Sequence, residues 1–268
     1  MGNIHRILIS LLATVSLVTV STSLMADTPK MGIVVMHGKG GSPSRLVGVL
    51  AKKLKKSGYE VANIEMPWSG SREYDVDTGE AQAEVEKALT ELRAAGAQKV
   101  FVAGHSQGGV FALHLAGRLK IDGVIPIAPG GNVGSNKFRN KLGKSVNRAR
   151  ELVAQGKGDK KTNLKDFEGS KGVFSVRTTP DIYLTWFDPD GAMNSRRAAA
   201  AVSPQVPILW IVAEKDYPGL VRSNIPLFDE FPANPNTELY RSASDHKGAP
   251  RASVDEIIRW TTKVATSK

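Results

Sequence analysis

Six short apolar runs rich in β-branched residues recur along this chain, and most are followed by a segment of helix length. That alternation restricts the fold more than any single motif does. Runs that stay apolar at successive positions, without an in/out rhythm, belong to strands covered on both faces, which is the condition of a mainly parallel sheet. The predicted strands lie near Gly32–Met36, Glu60–Ile64, Lys99–Ala103, Gly123–Ile127, Ile208–Ala213 and Glu238–Tyr240. Ser44–Lys56, Gly79–Ala95, Val110–Leu119 and Ser253–Val264 read as helices, with Val85, Leu89 and Leu92 spaced to share one face. The rhythm breaks once, between Ala128 and Val206.

The first 26 residues have the form of a secretory signal peptide: Arg6 and His5, an uncharged apolar run over Ile7–Val20, and small residues up to Ala26. The run is short for a bilayer span. Export to the periplasm or the medium is therefore expected, with residues 27–268 forming one α/β domain. The chain has no cysteine, which removes disulfides, thiolate metal sites and a cysteine nucleophile. No histidine cluster suggests a metal, and Asp188-Pro-Asp190 is acidic but isolated. No metal and no cofactor is expected.

The third run leads directly into Gly104-His105-Ser106-Gln107-Gly108 and then into helix. A serine on a sharp strand-to-helix turn has its hydroxyl clear of the backbone, and glycines two positions either side avoid collisions with neighbouring elements. The G-x-S-x-G spacing is weak taken alone; its strand–turn–helix setting makes Ser106 a candidate nucleophile.

Such a serine needs a base. The candidates after residue 26 are His37, His105, His114 and His246. His37 ends a strand, His105 projects away from its neighbour on a tight turn, and His114 lies within a helix. His246 falls in the polar loop Ser242–Gly248 beyond the last strand, at the sheet edge where it could reach Ser106. A carboxylate is then needed to orient the imidazole. Glu214 and Asp216 both follow the fifth run, and Asp245 is a weaker third option because its own loop would have to fold back. The glycine-rich segment Met36–Pro43 follows the first strand, but it lacks the G-x-x-x-x-G-K-[ST] order of a phosphate loop.

In this order the parts resemble the α/β-hydrolase superfamily over almost all of residues 27–268. The carriers are His37-Gly38, the Gly104–Gly108 turn, Ala213-Glu-Lys-Asp216 and Asp245-His246. The resemblance implies a Ser106–His246–Asp216 triad, although Ala213 stands where the superfamily usually has glycine. It also implies an oxyanion hole made by the backbone N–H groups of Lys39 and Gln107. The antiparallel hairpin that often opens this fold has no counterpart before Gly32, so a minimal six-stranded sheet is expected, with a lid insertion at about residues 130–200 after the fourth predicted strand.

The insertion is basic: Lys137–Lys161 holds nine Lys or Arg against Glu151 and Asp159. Phe138, Leu142, Val146, Ala149 and Val153 mark a helix with one apolar face. Its charge reads first as a solvated face, and second as a weak attraction for anionic surfaces. Nucleic acid is not an expected partner. Trp68, Tyr74, Trp186 and Phe187 could line an acyl pocket or simply pack on one another. The chemistry implied is hydrolysis of a small-molecule or lipid-like carboxylic ester through an acyl-enzyme. A serine peptidase or amidase on the same fold, or a non-catalytic binding protein on that scaffold, are the rival readings.

Overall fold

The computed structural model describes residues 29–267. The expected signal peptide thus lies outside the described residues. In chain order the elements begin with β1 (Met31–Met36), α1 (Leu46–Lys56), β2 (Glu60–Ile64), α2 (Thr78–Ala94), β3 (Lys99–His105), α3 (Gln107–Ala116) and β4 (Gly123–Ile127). An insertion follows, made of α4 (Asn136–Ala154), β5 (Thr162–Glu168), β6 (Gly172–Thr178), α5 (Pro180–Phe187) and α6 (Ser195–Ala200). The chain then returns through β7 (Leu209–Lys215), α7 (Pro218–Phe228), β8 (Glu238–Asp245), α8 (Ala249–Ala252) and α9 (Val254–Thr266).

The six main strands form one parallel sheet in the order β2-β1-β3-β4-β7-β8. This is the α/β-hydrolase architecture expected from the sequence. Successive strand residues face opposite sides. Ile33, Val35, Phe101, Ala103, Ile125 and Ile127 pack under α1 and α9, with Val47, Leu50, Ile257 and Trp260. Val34, Met36, Val100, Val102 and Val124 pack under α2 and α3 on the other side. Each large side chain buried this way contributes about 1.5–3 kcal/mol.

The insertion joins the second of these cores and does not form a separate one. Leu142, Val146 and Ala149 of α4, Leu164 and Phe167 of β5, and Tyr183, Trp186 and Phe187 of α5 are buried in the same cluster as Phe111 and Leu113 of α3. Of the predicted apolar face of α4, Phe138 is only partly buried and Val153 is exposed.

Several elements differ from the sequence reading. α3 begins at Gln107, three residues earlier than predicted, because the turn at Ser106 starts the helix immediately. β8 runs five residues beyond Tyr240, since its pairing with β7 continues through Ala213↔Ser242 and, after a bulge, Lys215↔Asp245. His246 therefore follows a strand end directly and does not sit within a long loop. The antiparallel β5–β6 hairpin was not anticipated: its alternation is masked by charged residues, including a fully buried Asp166 at an inward position.

Candidate active site

Parallel register brings the carboxyl ends of the strands to one edge. Met36 pairs with Gly104, His105 with Ile127, Ile127 with Ile211, and Lys215 with Asp245. The residues that follow each strand, from His37, Ser106, Ala128, Asp216 and His246, consequently converge at the place where open parallel sheets bind ligands.

Ser106 holds this edge in a strained conformation, with φ 55° and ψ −116°. Its backbone N–H donates to Ile127 O at 3.0 Å, and its carbonyl accepts from Gly109 and Gly130. The glycines make the turn possible. A Cβ on Gly104 would lie 2.0 Å from Gly108 O, and one on Gly108 would lie 2.8 Å from the carbonyls of both Met36 and His37. Such strain persists only where the surroundings over-determine it, and it collects at functional sites.

His246 Nε2 is 3.0 Å from Ser106 Oγ. Its Nδ1 lies 2.9 and 3.0 Å from the two carboxylate oxygens of Asp216. Asp216 is acceptor-only when ionised, so Nδ1 carries the proton and Nε2 is left to accept from the serine hydroxyl. The Asp216 side chain is 1% exposed, and it also accepts the Tyr217 N–H at 2.6 Å. The arrangement can draw a proton from the hydroxyl as it attacks an electrophile and return it to a leaving group.

A profile of the alpha/beta hydrolase family matches residues 33–259. The chain belongs to that family. A search of curated protein sequences gives no significant match. Solved structures with the same fold include a monoacylglycerol lipase from Paleococcus ferrophilus, 20% identical, with TM-score 0.59 over 89% of this chain and 96% of that one. A thermostable carboxyl esterase from Bacillus coagulans is 16% identical, with TM-score 0.60 over 89% and 90%. An alpha/beta hydrolase from Penicillium sp. sh18 is 14% identical, with TM-score 0.65 over 89% and 90%.

The other acidic candidates of this hydrolase stay apart from the histidine. Glu214 is exposed, and Asp245 accepts the Gly248 N–H at 2.7 Å in its own turn. Asp188 and Asp190 pair with Arg150 and Arg139. His114 is buried and stacked on Phe111, and burial pushes its pKa down to about 4. His105 is buried beside His246, and its Nε2 lies 2.8 Å from the His246 carbonyl, which it must donate to. Burial first, and the His246 ring second, lower its pKa to about 3.

The glycine loop after β1 is braced by contacts that no sequence motif announces. Met66 N–H donates to His37 Nε2 at 3.0 Å, so His37 Nδ1 carries hydrogen and donates to Gly38 O at 2.8 Å. Burial, chiefly, holds the His37 pKa below its ordinary value. Trp68 Nε1 donates to His37 O at 2.9 Å, and Trp68 O accepts from Gly40 N. Gly40 takes φ 61°, a conformation that suits glycine. Gly40 and Gly41 are committed to backbone acceptors, whereas the amides of Lys39 and Gln107 donate to no backbone carbonyl among the described loop contacts. The Lys39 side chain turns into the insertion, where it meets Asp166.

Trp186 and Phe187 do not line the reactive edge as open pocket walls. Trp186 is 1% exposed, packs edge-on against Trp68 and tilted against Phe111, and donates from Nε1 to Val76 O. Phe187 stacks on Tyr183 and meets Tyr74. The packing alternative is the one observed for this cluster. Leu220 of α7 and the Ser106 hydroxyl flank Gly130: a Cβ there would lie 3.3 Å from both Leu220 Cδ1 and Ser106 Oγ. Sequence reasoning missed Leu220 because α7 carries no distinguishing signal before its contacts are known.

Proposed function

We propose that this family member is a serine hydrolase that cleaves carboxylic esters through an acyl-enzyme. The observation that carries the reading is the Ser106–His246–Asp216 alignment, with 3.0 Å from hydroxyl to imidazole and 2.9 Å from imidazole to carboxylate. Ser106 Oγ attacks the ester carbonyl while His246 Nε2 takes its proton. Asp216 stabilises the imidazolium that forms, and the amides of Lys39 and Gln107 receive the developing oxyanion. His246 then protonates the departing alkoxide. Water attacks the acyl-enzyme by the same route, returning the proton to Ser106. The solved relatives described as a monoacylglycerol lipase and a carboxyl esterase support esters as the substrate class. The sequence of residues 1–26 supports export, and the basic face of α4 supports at most a weak attraction to anionic surfaces.

The test is labelling by a fluorophosphonate together with hydrolysis of p-nitrophenyl butyrate. Wild type is expected to label and turn over, and Ser106→Ala to do neither while keeping its circular dichroism. Folded wild type that does not label would refute the reading.

A further inference from the structure

Asp166 is a fully buried carboxylate on β5, far along the chain from the reactive serine. Its side chain accepts from the Lys39 ammonium, whose own side chain is only 9% exposed. The ammonium also donates to Phe167 O at 3.1 Å and lies over the rings of Phe138 and Phe187. The second Asp166 oxygen accepts from the Tyr74 hydroxyl at 2.9 Å. The Tyr74 oxygen in turn accepts from Gln107 Nε2 at 3.2 Å. One carboxylate therefore ends in two residues, Lys39 directly and Gln107 through a single phenol. These are the two residues whose free amides face the developing oxyanion in the proposed mechanism.

The bridging tyrosine is itself held under strain. Tyr74 takes φ 58° and Glu73 φ 49°, which bulky side chains rarely adopt. The Tyr74 carbonyl accepts from Thr178 Oγ1, at the end of β6, at 2.7 Å. The β5–β6 hairpin thus grips Tyr74 at both its backbone and its hydroxyl. A buried ion pair is weak evidence for stability, because an apolar pair of similar volume often serves as well. What this pair does that an apolar pair would not is impose direction: hydrogen bonds fix where Lys39 and Gln107 sit, whereas packing leaves each free to shift.

We propose that Asp166 is a positioning residue for the oxyanion hole, holding Lys39 and Gln107 in register through its ion pair and the Tyr74 hydroxyl. The insertion then serves as a brace for the reactive edge and not solely as a cover over it. The proposal rests on the serine-hydrolase reading given above. Its signature is a defect confined to the tetrahedral state, since the ground-state ester does not need both amides in place.

Two variants of the full-length protein test it, with p-nitrophenyl butyrate as substrate and an alkyl trifluoromethyl ketone as tetrahedral-state probe. Tyr74→Phe removes the link to Gln107 without stranding a charge. Its kcat is expected to fall by about 10-fold, within the range by which small misplacements act. KM should stay within about 3-fold, and the ketone should weaken by the factor lost in kcat. The double variant Lys39→Met/Asp166→Leu removes both charges together, so its thermal midpoint should remain near that of wild type. Its kcat should still be depressed by about 10-fold or more. Wild-type kcat and ketone affinity in Tyr74→Phe, or a double variant whose kcat is not depressed, would overturn the proposal while leaving the hydrolase reading intact. If the double variant fails to fold, Tyr74→Phe decides. Wild type inert to both ketone and fluorophosphonate would overturn the two together.

Discussion

His105 should make this fold sensitive to mild acid in a way that one substitution can isolate. The ring is 3% exposed, its Nε2–H is engaged by the His246 carbonyl, and its Nδ1 finds no partner among the described residues. That nitrogen faces Gly38, where a Cβ would sit only 3.2 Å away, so a proton added there meets no acceptor. Its pKa is about 3 in the fold against an ordinary 6.5. Between those values the unfolded chain binds a proton that the native chain refuses. Stability is therefore full above about pH 6.5 and falls as the pH drops below it. At pH 4.5, two units below the ordinary value, the loss from this group is about 3 kcal/mol. His114 loses a similar amount over the same interval, because its pKa is about 4. His105→Gln keeps an N–H near the Nε2 position and removes the titration. Urea unfolding of both proteins at pH 7.5 and pH 4.5 measures the difference. The variant should lose about 3 kcal/mol less than wild type across that span. Equal losses in the two proteins would refute the argument that a neutral, desolvated His105 is required by the fold.

Gly104→Ala should fail to yield soluble, folded protein, because its Cβ would lie 2.0 Å from the Gly108 carbonyl oxygen and backbone must move to relieve it. Soluble expression and circular dichroism would show this, and an alanine variant that labels with fluorophosphonate at the wild-type rate would contradict it. Trp186→Ala should cost about 3–5 kcal/mol in urea unfolding, as expected for emptying a fully buried aromatic site. Its relative rates on p-nitrophenyl esters of increasing chain length should match those of wild type, since the ring packs on Trp68 and Phe111; an altered chain-length profile would instead return it to the acyl pocket.

The legible part of the molecule was the part governed by local rules. Strands buried on both faces must be apolar at consecutive positions, so β1 and β4 could be placed almost to the residue. The elbow was legible because its φ of 55° and its tight contacts demand glycines at fixed offsets from Ser106. The β5–β6 hairpin was hidden for the opposite reason. Its inward Asp166 is polar, and Lys39 and Tyr74, distant in the chain, join the neighbouring Phe167 N–H in making burial of that carboxylate tolerable. The length of β8 escaped as well, because Ser242 and Asp245 are strand residues only through their pairing with β7.

Sequence by itself determined the α/β alternation, the serine turn and the short list of histidines and acids that could serve it. Each of these follows from residue type and spacing along one stretch of chain. The family resemblance favoured Asp216 over nearby Glu214, and the structure has Asp216 facing His246 with Glu214 exposed; tertiary structure alone decided that Trp186 is core. It also decided that the insertion reaches back to Lys39 and Gln107. Those outcomes depend on which way neighbouring side chains point once parallel register has drawn five strand ends to one edge, and no local pattern carries that information.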